Sequence, residues 1–404
     1  MTLPSTAGQP LDGIRVLDIG TLLAGPWGAT LLADFGAEVI KVEQPSIGDA
    51  LRGTPTADGA ARPLHWLVDA RNKKSVTLNL REAQGQDLLK RLVAVSDVLF
   101  ENFTPGTLEK WGLGWDALQQ INPRLVMVRV SGYGQTGPYH ERPGYDRIAL
   151  GFSGYMYPTG FPDRYPVRPA FPTADYNTAT FGAYAAMLAL YQRDAQGGSG
   201  QMIDLALYEA PFRITSSMVA AYERTGKNRE RIGNRNPGFA PAGTFSTRDG
   251  RYLQIAAGGQ NVWQRLTEAM GSPELQEDVR FATSRARIAH ADELEALLGE
   301  WIAQHDFADL EQLLVAAGVP AGGIYRAEDI ARDPHYAARD SLIAIDDPEQ
   351  GPVQMPGVIP KLTGSPGQVR HTGPHLGEHN DEVYQELLGL SADTLEDLAA
   401  EGII

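Results

Sequence analysis

GIRVLDIGTLLAGPWGATLLADFGAEVIKVE (residues 13–43) decides the fold. Its opening, GIRVLDIG (13–20), has the pattern of a buried strand. TLLAGPWGATLLADFG (21–36) turns and then runs as a helix to Gly36, and AEVIKVE (37–43) is a second strand closing on Glu43. Strand, helix and strand in so short a span form a βαβ unit, which implies parallel strands and a right-handed crossover. Outward from it the alternation continues. SVTLNL (75–80) reads as a third strand, and Leu88, Leu89, Leu92 and Val93 recur on one face of the helix that follows. VLFENF (98–103) and RLVMVRVSG (124–132) supply a fourth and a fifth strand, so the class expected is a doubly wound α/β fold.

The texture changes further along. A long helical stretch is expected from Ile203 to Arg224, and GKNRERIGNRNPG (226–238), charged and rich in Gly and Asn, marks a boundary. TFSTRDGRYLQIAAG reads as a hairpin with Asp249–Gly250 at its tip, where a type I′ turn demands positive φ. Helices near 262–270, 291–305 and 307–317 and a short strand VPAGGIY (319–325) complete a smaller α/β unit, with Gly318 as a helix C-cap. The division expected is therefore 1–225 joined by a returning 326–404, with 226–325 as the small unit. The tail after Asp346 is rich in Pro and Gly and ends in helices near 379–388 and 392–400.

Composition narrows the function. The chain has 404 residues, 43% hydrophobic and 21% charged, as an enzyme-sized globular protein would. A net charge of −15 argues against general binding to nucleic acid or an anionic membrane. The lack of cysteine removes disulfides, thiolate metal sites and thiol nucleophiles together. No apolar run is long enough to span a bilayer and no secretory signal pattern opens the chain, so the expected compartment is the cytoplasm.

RPAFPTADYNTATFGAYAA (168–186) brings one acid, Asp175, to the start of an apolar helix. Taken alone, Asp175 reads as an N-cap whose ionised form the helix dipole favours. Other motifs fail on mechanics. GYGQTG (132–137) satisfies a dinucleotide pattern, yet Pro138 follows directly and no helix opens to face a pyrophosphate. Glu43 stands where a ribose-binding acid would lie, but its βα turn lacks the glycine spacing. His371, His375 and His379 have helical spacing, which Gly373, Pro374 and Gly377 deny them. There is no P-loop and no G-x-S-x-G elbow. Arg71, Lys73, Lys74 and Lys110 sit beside expected strand ends, where together they could face phosphates.

Taken as a set, LDGIRVLDIGTLLAGPWGATLLADFGAEVIKVE, GDALRG, RNKKSVTLNL, ENFTPGTLEKWGLGW, NPRLVMVRVSGYGQTGP, RPGYDRIALGFSGYMYPTG, DPHYAARD and LGEHNDEVYQELLGL resemble the class III CoA-transferases in order and over essentially the whole chain. PAFPTADY with IDLALYEA lies close to the carnitine-type branch. The resemblance implies two Rossmann-like domains, the large one completed by the C-terminal segment, and an interlocked homodimer. It implies acyl-CoA and a small carboxylic acid as substrates, with no tightly bound cofactor. Asp175 falls on the family's nucleophile. Leu23, Ala24, Gln44, Leu78, Asn79, Leu80, Arg81, Asn102, Phe103, Thr104 and Lys110 fall on positions that contact CoA, and Tyr145 with Asp146 on a substrate-side pair. Gln44 and Lys110 stand where formyl-CoA transferase has Arg, and Pro143 where it has Lys. The long glycine lid of the oxalate enzymes is absent, with Gly258–Gln260 as a shorter counterpart that could serve an oxyanion.

In such an enzyme the aspartate attacks the donor thioester, and the anhydride formed is converted to an aspartyl-CoA thioester that the acceptor acid takes over. An α-methylacyl-CoA racemase is the alternative on the same fold, but Tyr145 stands where racemases put a His, and tyrosine is a poor base near neutrality. A non-catalytic CoA-binding partner of a paired subunit is a third reading, set back by the intact Asp175. Arg147, Arg168 and Arg213 would suit a diacid acceptor. Trp66, Tyr155 and Tyr157 would suit a trimethylammonium acid.

Overall fold

The computed structural model describes residues 8–56 and 62–404. The chain divides into two compact units, one of Met1–Tyr155, Pro169–Ser217 and His335–Ile404, the other of Met156–Arg168 and Met218–Pro334. The sequence boundaries near 226 and 325 differ from this division, which gives 156–168, 218–225 and 326–334 to the second unit.

The first unit is built on six parallel strands: β1 (Arg15–Asp18), β2 (Glu38–Glu43), β3 (Lys73–Thr77), β4 (Val98–Glu101), β5 (Val126–Ser131) and β6 (Gln201–Ala206). Their order is β3-β2-β1-β4-β5-β6, the doubly wound order with its reversal between β1 and β4. Leu17 lies in register with Ile40 on one side and Leu99 on the other. β1, β2, β4 and β5 are buried along nearly their whole length, which is why they read as largely apolar runs. Four helices matter to the site: α1 (Pro26–Ala33), α2 (Ala83–Ala94), α3 (Asp146–Phe152) and α4 (Thr173–Ala195). Leu88, Leu89, Leu92 and Val93 of α2 are buried in one cluster with Leu17, Leu99 and Met127, each worth roughly 1.5–3 kcal/mol of transfer free energy. On the other face α1 crosses α4 closely. A Cβ at Gly28 would stand 2.9 Å from the Ala179 carbonyl oxygen and 2.9 Å from the Phe100 ring, so only glycine fits.

The expected helix from Ile203 to Arg224 is corrected by β6. Residues 201–206 pair with β5 from Val126↔Gln201 to Ser131↔Ala206, and the need of β5 for a second neighbour outweighs local helical spacing.

The second unit carries β7 (Ala242–Ser246), β8 (Tyr252–Ala256), β9 (Ala321–Gly323) and helix α5 (Gln260–Ala269). Its sheet, in order β7-β8-β9, is antiparallel throughout, so this unit is not the second Rossmann-like domain that was expected. For β7 and β8 the cause is the tight connection, since a hairpin can only join antiparallel neighbours. Gly250 alone has positive φ (+74°) at the tip, and its N–H donates to Thr247 O at 3.0 Å. That is a type I turn closed by a glycine bulge, not the type I′ turn expected. The core is Leu253, Ile255, Trp263, Leu266, Phe281, Leu294, Leu298 and Leu310.

The C-terminal segment belongs to the first unit. It opens with an antiparallel hairpin, β10 (Leu342–Asp347) and β11 (Gly351–Pro356), where only a Pro/Gly-rich tail was expected. It then runs beside edge strand β3: His379 N–H donates to Ser75 O at 2.9 Å, Thr77 N–H to Asn380 Oδ1 at 2.9 Å, and Asn79 N–H to Ile403 O at 2.7 Å. The exposed edge is thereby covered.

Candidate active site

Asp175 sits in the first turn of α4, but it is not the cap. Pro172 holds the N-cap position, and one free donor of the first turn is met from elsewhere: Asp146 Oδ1, at the start of α3, accepts from Ala174 N–H at 2.8 Å. Asp175 is left half-buried, and among the described residues no group donates a hydrogen bond to it. Burial, with the Asp146 carboxylate as a second cause, pushes its pKa up to about 7. The expectation of a dipole-ionised carboxylate is thus reversed, because desolvation and a like charge outweigh the helix end. The next residue anchors the turn. Tyr176 donates from its hydroxyl to Asp69 Oδ2 at 2.9 Å and packs edge-on against Trp27 with ring centroids 5.0 Å apart.

At the carboxyl ends of β1–β4 lies a cavity of about 220 Å³, the place where open α/β sheets bind ligands. Of the expected CoA contacts, Gln44, Leu78, Leu80, Arg81 and Phe103 line it. Asn102 stands at its lip, accepting from Thr21 N–H at 2.8 Å and donating to Thr21 O at 2.8 Å. Leu23 and Ala24 form the buried β1–α1 turn, and Leu23 belongs to a cluster against which Tyr176 packs. Asn79 serves the C-terminal segment through Ile403. Thr104 and Lys110 are exposed and outside the lining. Tyr145 is 70% exposed as the N-cap of α3. The structure therefore gathers five of the eleven CoA positions directly and sets Asp146 beside Asp175.

Buried charges floor this cavity. Lys41 Nζ pairs with Asp49 Oδ2 at 2.8 Å and Asp18 Oδ1 at 3.5 Å, and Lys73 Nζ with Asp18 Oδ2 at 2.8 Å. Glu43 accepts from Arg52 through both oxygens (2.7 and 2.8 Å) and from Ser75 Oγ at 2.6 Å, so it is committed internally and not free for a ribose. On the far side Arg129 joins Glu101 at 2.6 Å to Glu109 at 2.6 Å, while Glu101 Oε2 holds Phe103 N–H at 2.8 Å. Lys41, Asp49 and Trp111 line the cavity although the sequence singled out none of them. The signal lay in the AEVIKVE, GDALRG and ENFTPGTLEKWGLGW motifs, with no pattern to say which side chain turns inward.

Other sequence features find their places. Arg71 pairs with Asp34, Lys73 with Asp18, and Lys74 with Glu38 and Glu382, so this trio does not face phosphates. GYGQTG is a turn held by Asp204, whose carboxylate accepts from Gln135 N–H at 2.9 Å. His379 Nδ1 accepts from Ser75 N–H, and no cluster of three metal-ligating side chains occurs among the described residues. Trp66 is buried beneath Arg52, whose guanidinium lies 3.7 Å from the ring centre, so it holds no trimethylammonium ligand. Gly258 and Gly259 belong to the second unit, where Gly259 caps α5 and Gly258 O accepts from Arg287 at 2.8 Å. The cavity of about 550 Å³ in that unit contains none of the expected site residues. No helix among the described residues is long and apolar enough to cross a membrane.

Residues 11–380 match the family model for CoA-transferase family III. The chain belongs to that family. It is 47% identical over 396 residues to the succinyl-CoA–D-citramalate CoA-transferase of Chloroflexus aurantiacus, covering 98% of each chain. It is 46% identical over 405 residues to the succinyl-CoA–L-malate CoA-transferase β subunit of the same organism, covering 99% of each. Among solved structures, a CAIB/BAIF family protein from Brucella suis superposes with a TM-score of 0.85 at 38% identity, over 94% of this chain and all of that one. The protein is thus a family III CoA-transferase, and CoA thioesters are its substrates. Neither Chloroflexus relative is named for carnitine, and the carnitine-type branch has no support from them.

Proposed function

We propose that this CoA-transferase moves CoA from succinyl-CoA to a small dicarboxylic or hydroxydicarboxylic acid, with Asp175 as the covalent nucleophile. The observation that carries the reading is the carboxyl group of Asp175, half-buried, without a hydrogen-bond donor among the described residues, and with its pKa pushed up to about 7. A structural acid in such a place would be paired. An unpartnered one is a ground state poised to lose its charge by acylation. The relatives named for citramalate and malate support the acceptor class.

In the ionised form, an Asp175 oxygen attacks the acyl carbon of the donor. The C–S bond breaks, giving a mixed anhydride and CoA thiolate. The thiolate then attacks the Asp175 carboxyl carbon, the C–O bond to the donor acyl group breaks, and the donor acid leaves. The acceptor carboxylate attacks the aspartyl-CoA thioester and displaces the thiolate, which takes the acceptor acyl group from the second anhydride and restores Asp175. No external energy source is needed, since one thioester is consumed as another forms.

Arg81 at the cavity and exposed Lys110 are proposed to meet the CoA phosphates, and Phe103 with Trp111, whose rings meet edge-on at 5.5 Å, to pack on the adenine. The remaining positions (Leu23, Ala24, Gln44, Leu78, Asn79, Leu80, Asn102, Thr104 and Tyr145) are proposed as neighbours of the same ligand. The outer face of α4, where Tyr184, Leu188 and Tyr191 are exposed at helical spacing, supports an interlocked homodimer. Light scattering gives the oligomeric state, and a monomer would remove that part.

The test of the chemistry is a panel of carboxylic acids with succinyl-CoA, scored by mass spectrometry, with hydroxylamine added to trap the acylated enzyme. Wild type is expected to label at Asp175 and to exchange CoA onto diacids, while Asp175→Ala does neither and stays folded. Transfer surviving in Asp175→Ala would end this assignment.

A further inference from the structure

The turn from β1 into α1 is held by side chains from three other places in the chain, and the proposed chemistry uses none of that. Gly20 N–H donates to Asp18 Oδ1 at 3.1 Å, and Gly20 O accepts from the ammonium of Lys41. Thr21 gives its N–H and its carbonyl to Asn102. Leu22 N–H donates to Asp49 Oδ1 at 3.0 Å, the same oxygen that accepts from Leu51 N–H at 2.8 Å. From Gly20 N–H to Leu22 N–H, every backbone polar group is thus bound to a side chain.

Within this cage Leu22 has φ = +60°. A leucine takes that left-handed conformation only where its surroundings over-determine it, and such residues concentrate at functional sites. A turn that merely joined β1 to α1 would be met by glycine here. The caging groups are themselves buried under the cavity: Lys41 is 1% exposed and bridges Asp49 to Asp18. Gly20, Thr21, Lys41 and Asp49 all line the cavity.

We infer that Asp49 and Lys41 are positioning residues, which hold Leu22 in the left-handed conformation and so set the Gly20–Ala24 turn at the mouth of the CoA cavity. The inference rests on the proposed reading of that cavity as the CoA site. Neither side chain touches reacting atoms in this scheme. Their effect falls on how well the turn fits the acyl-CoA, and therefore on KM more than on kcat.

The experiment compares steady-state kinetics with succinyl-CoA for wild type, Asp49→Ala, Leu22→Gly, Leu22→Val and the double variant Asp49→Ala/Leu22→Gly, all in the full chain. Asp49→Ala is expected to raise KM about tenfold with kcat changed less than about threefold. Adding Leu22→Gly, which accepts positive φ unaided, is expected to recover about threefold or more of that loss. Leu22→Val leaves the buried charges untouched and serves where Asp49→Ala fails to fold; its KM is expected to exceed that of Leu22→Gly by about fivefold. Equal KM values for Leu22→Val and Leu22→Gly, or a loss in Asp49→Ala that glycine does not recover, would overturn the inference. A wild-type KM unmoved by Arg81→Ala would instead overturn the cavity's assignment to CoA, which keeps the two failures apart.

Discussion

Replacing Asp175 by Asn should make the protein more stable at pH 8 while abolishing transfer. The carboxyl titrates near 3.8 in an unfolded chain and at about 7 in the fold. The folded state therefore binds this proton more tightly. Below pH 4 both states are protonated and the group has no effect. As pH rises from 4 to 7 the folded state must keep a proton or carry an unpartnered half-buried charge, and stability is lost progressively. Above pH 7 the loss is complete. A difference of about three pKa units corresponds to about 4 kcal/mol, and partial exposure brings this to about 2–4 kcal/mol. A chain of this length melts with an entropy of about 0.85 kcal/mol/K, so Asp175→Asn should raise the melting temperature at pH 8 by about 2–5 °C. At pH 5 only about 1–2 kcal/mol of the penalty is present, and the gain shrinks to about 1–2 °C. Scanning calorimetry on both proteins from pH 5 to 8 measures the divergence. Parallel pH curves, or a wild type more stable at pH 8, would mean that Asp175 is paired in solution, and the argument from an unpartnered nucleophile would fail.

Three further outcomes follow from the same geometry. Asp146→Asn keeps an oxygen for Ala174 N–H but removes the like charge beside Asp175; the acidic limb of the kcat/KM profile should move to lower pH, and an unmoved limb would mean that burial alone sets it. Gly28→Ala places a Cβ 2.9 Å from both the Ala179 carbonyl oxygen and the Phe100 ring; α4 must shift, at a stability loss of about 1–3 kcal/mol visible in urea melts, with kcat lowered because the proposed nucleophile rides on that helix. Arg52→Ala strips a fully buried Glu43 of its bidentate partner; thermal melts should show a loss of about 3–5 kcal/mol, whereas a loss below about 1 kcal/mol would put the pair with exposed bridges.

How much of this was legible in the sequence depends on how far each determinant acts along the chain. The parallel core was plain from residues 13–43 because strands covered on both faces are apolar throughout, and that pattern is local. Strand β6 was missed for the converse reason: it closes the sheet at one edge and only its last residue is fully buried, so the two-residue spacing of Ile203, Leu205 and Leu207 was too short a signal against the helical run expected through Ile214 and Met218. Hairpin β10–β11 hid behind its Pro and Gly content. At the site, the position of Asp175 at a helix start was readable, but its electrostatics were not, since the cap comes from Asp146, 28 residues upstream of Ala174. The cations mislead in the same way. Arg71, Lys73 and Lys74 look like a phosphate cluster until Asp34, Asp18, Glu38 and Glu382 are folded against them. A formal charge shows that a group can bind an anion, whereas the fold decides whether it has already done so. By that criterion Arg81, exposed at the cavity, and Asp175, to which no described residue donates a hydrogen bond, are the charges proposed to be left for a substrate to complete.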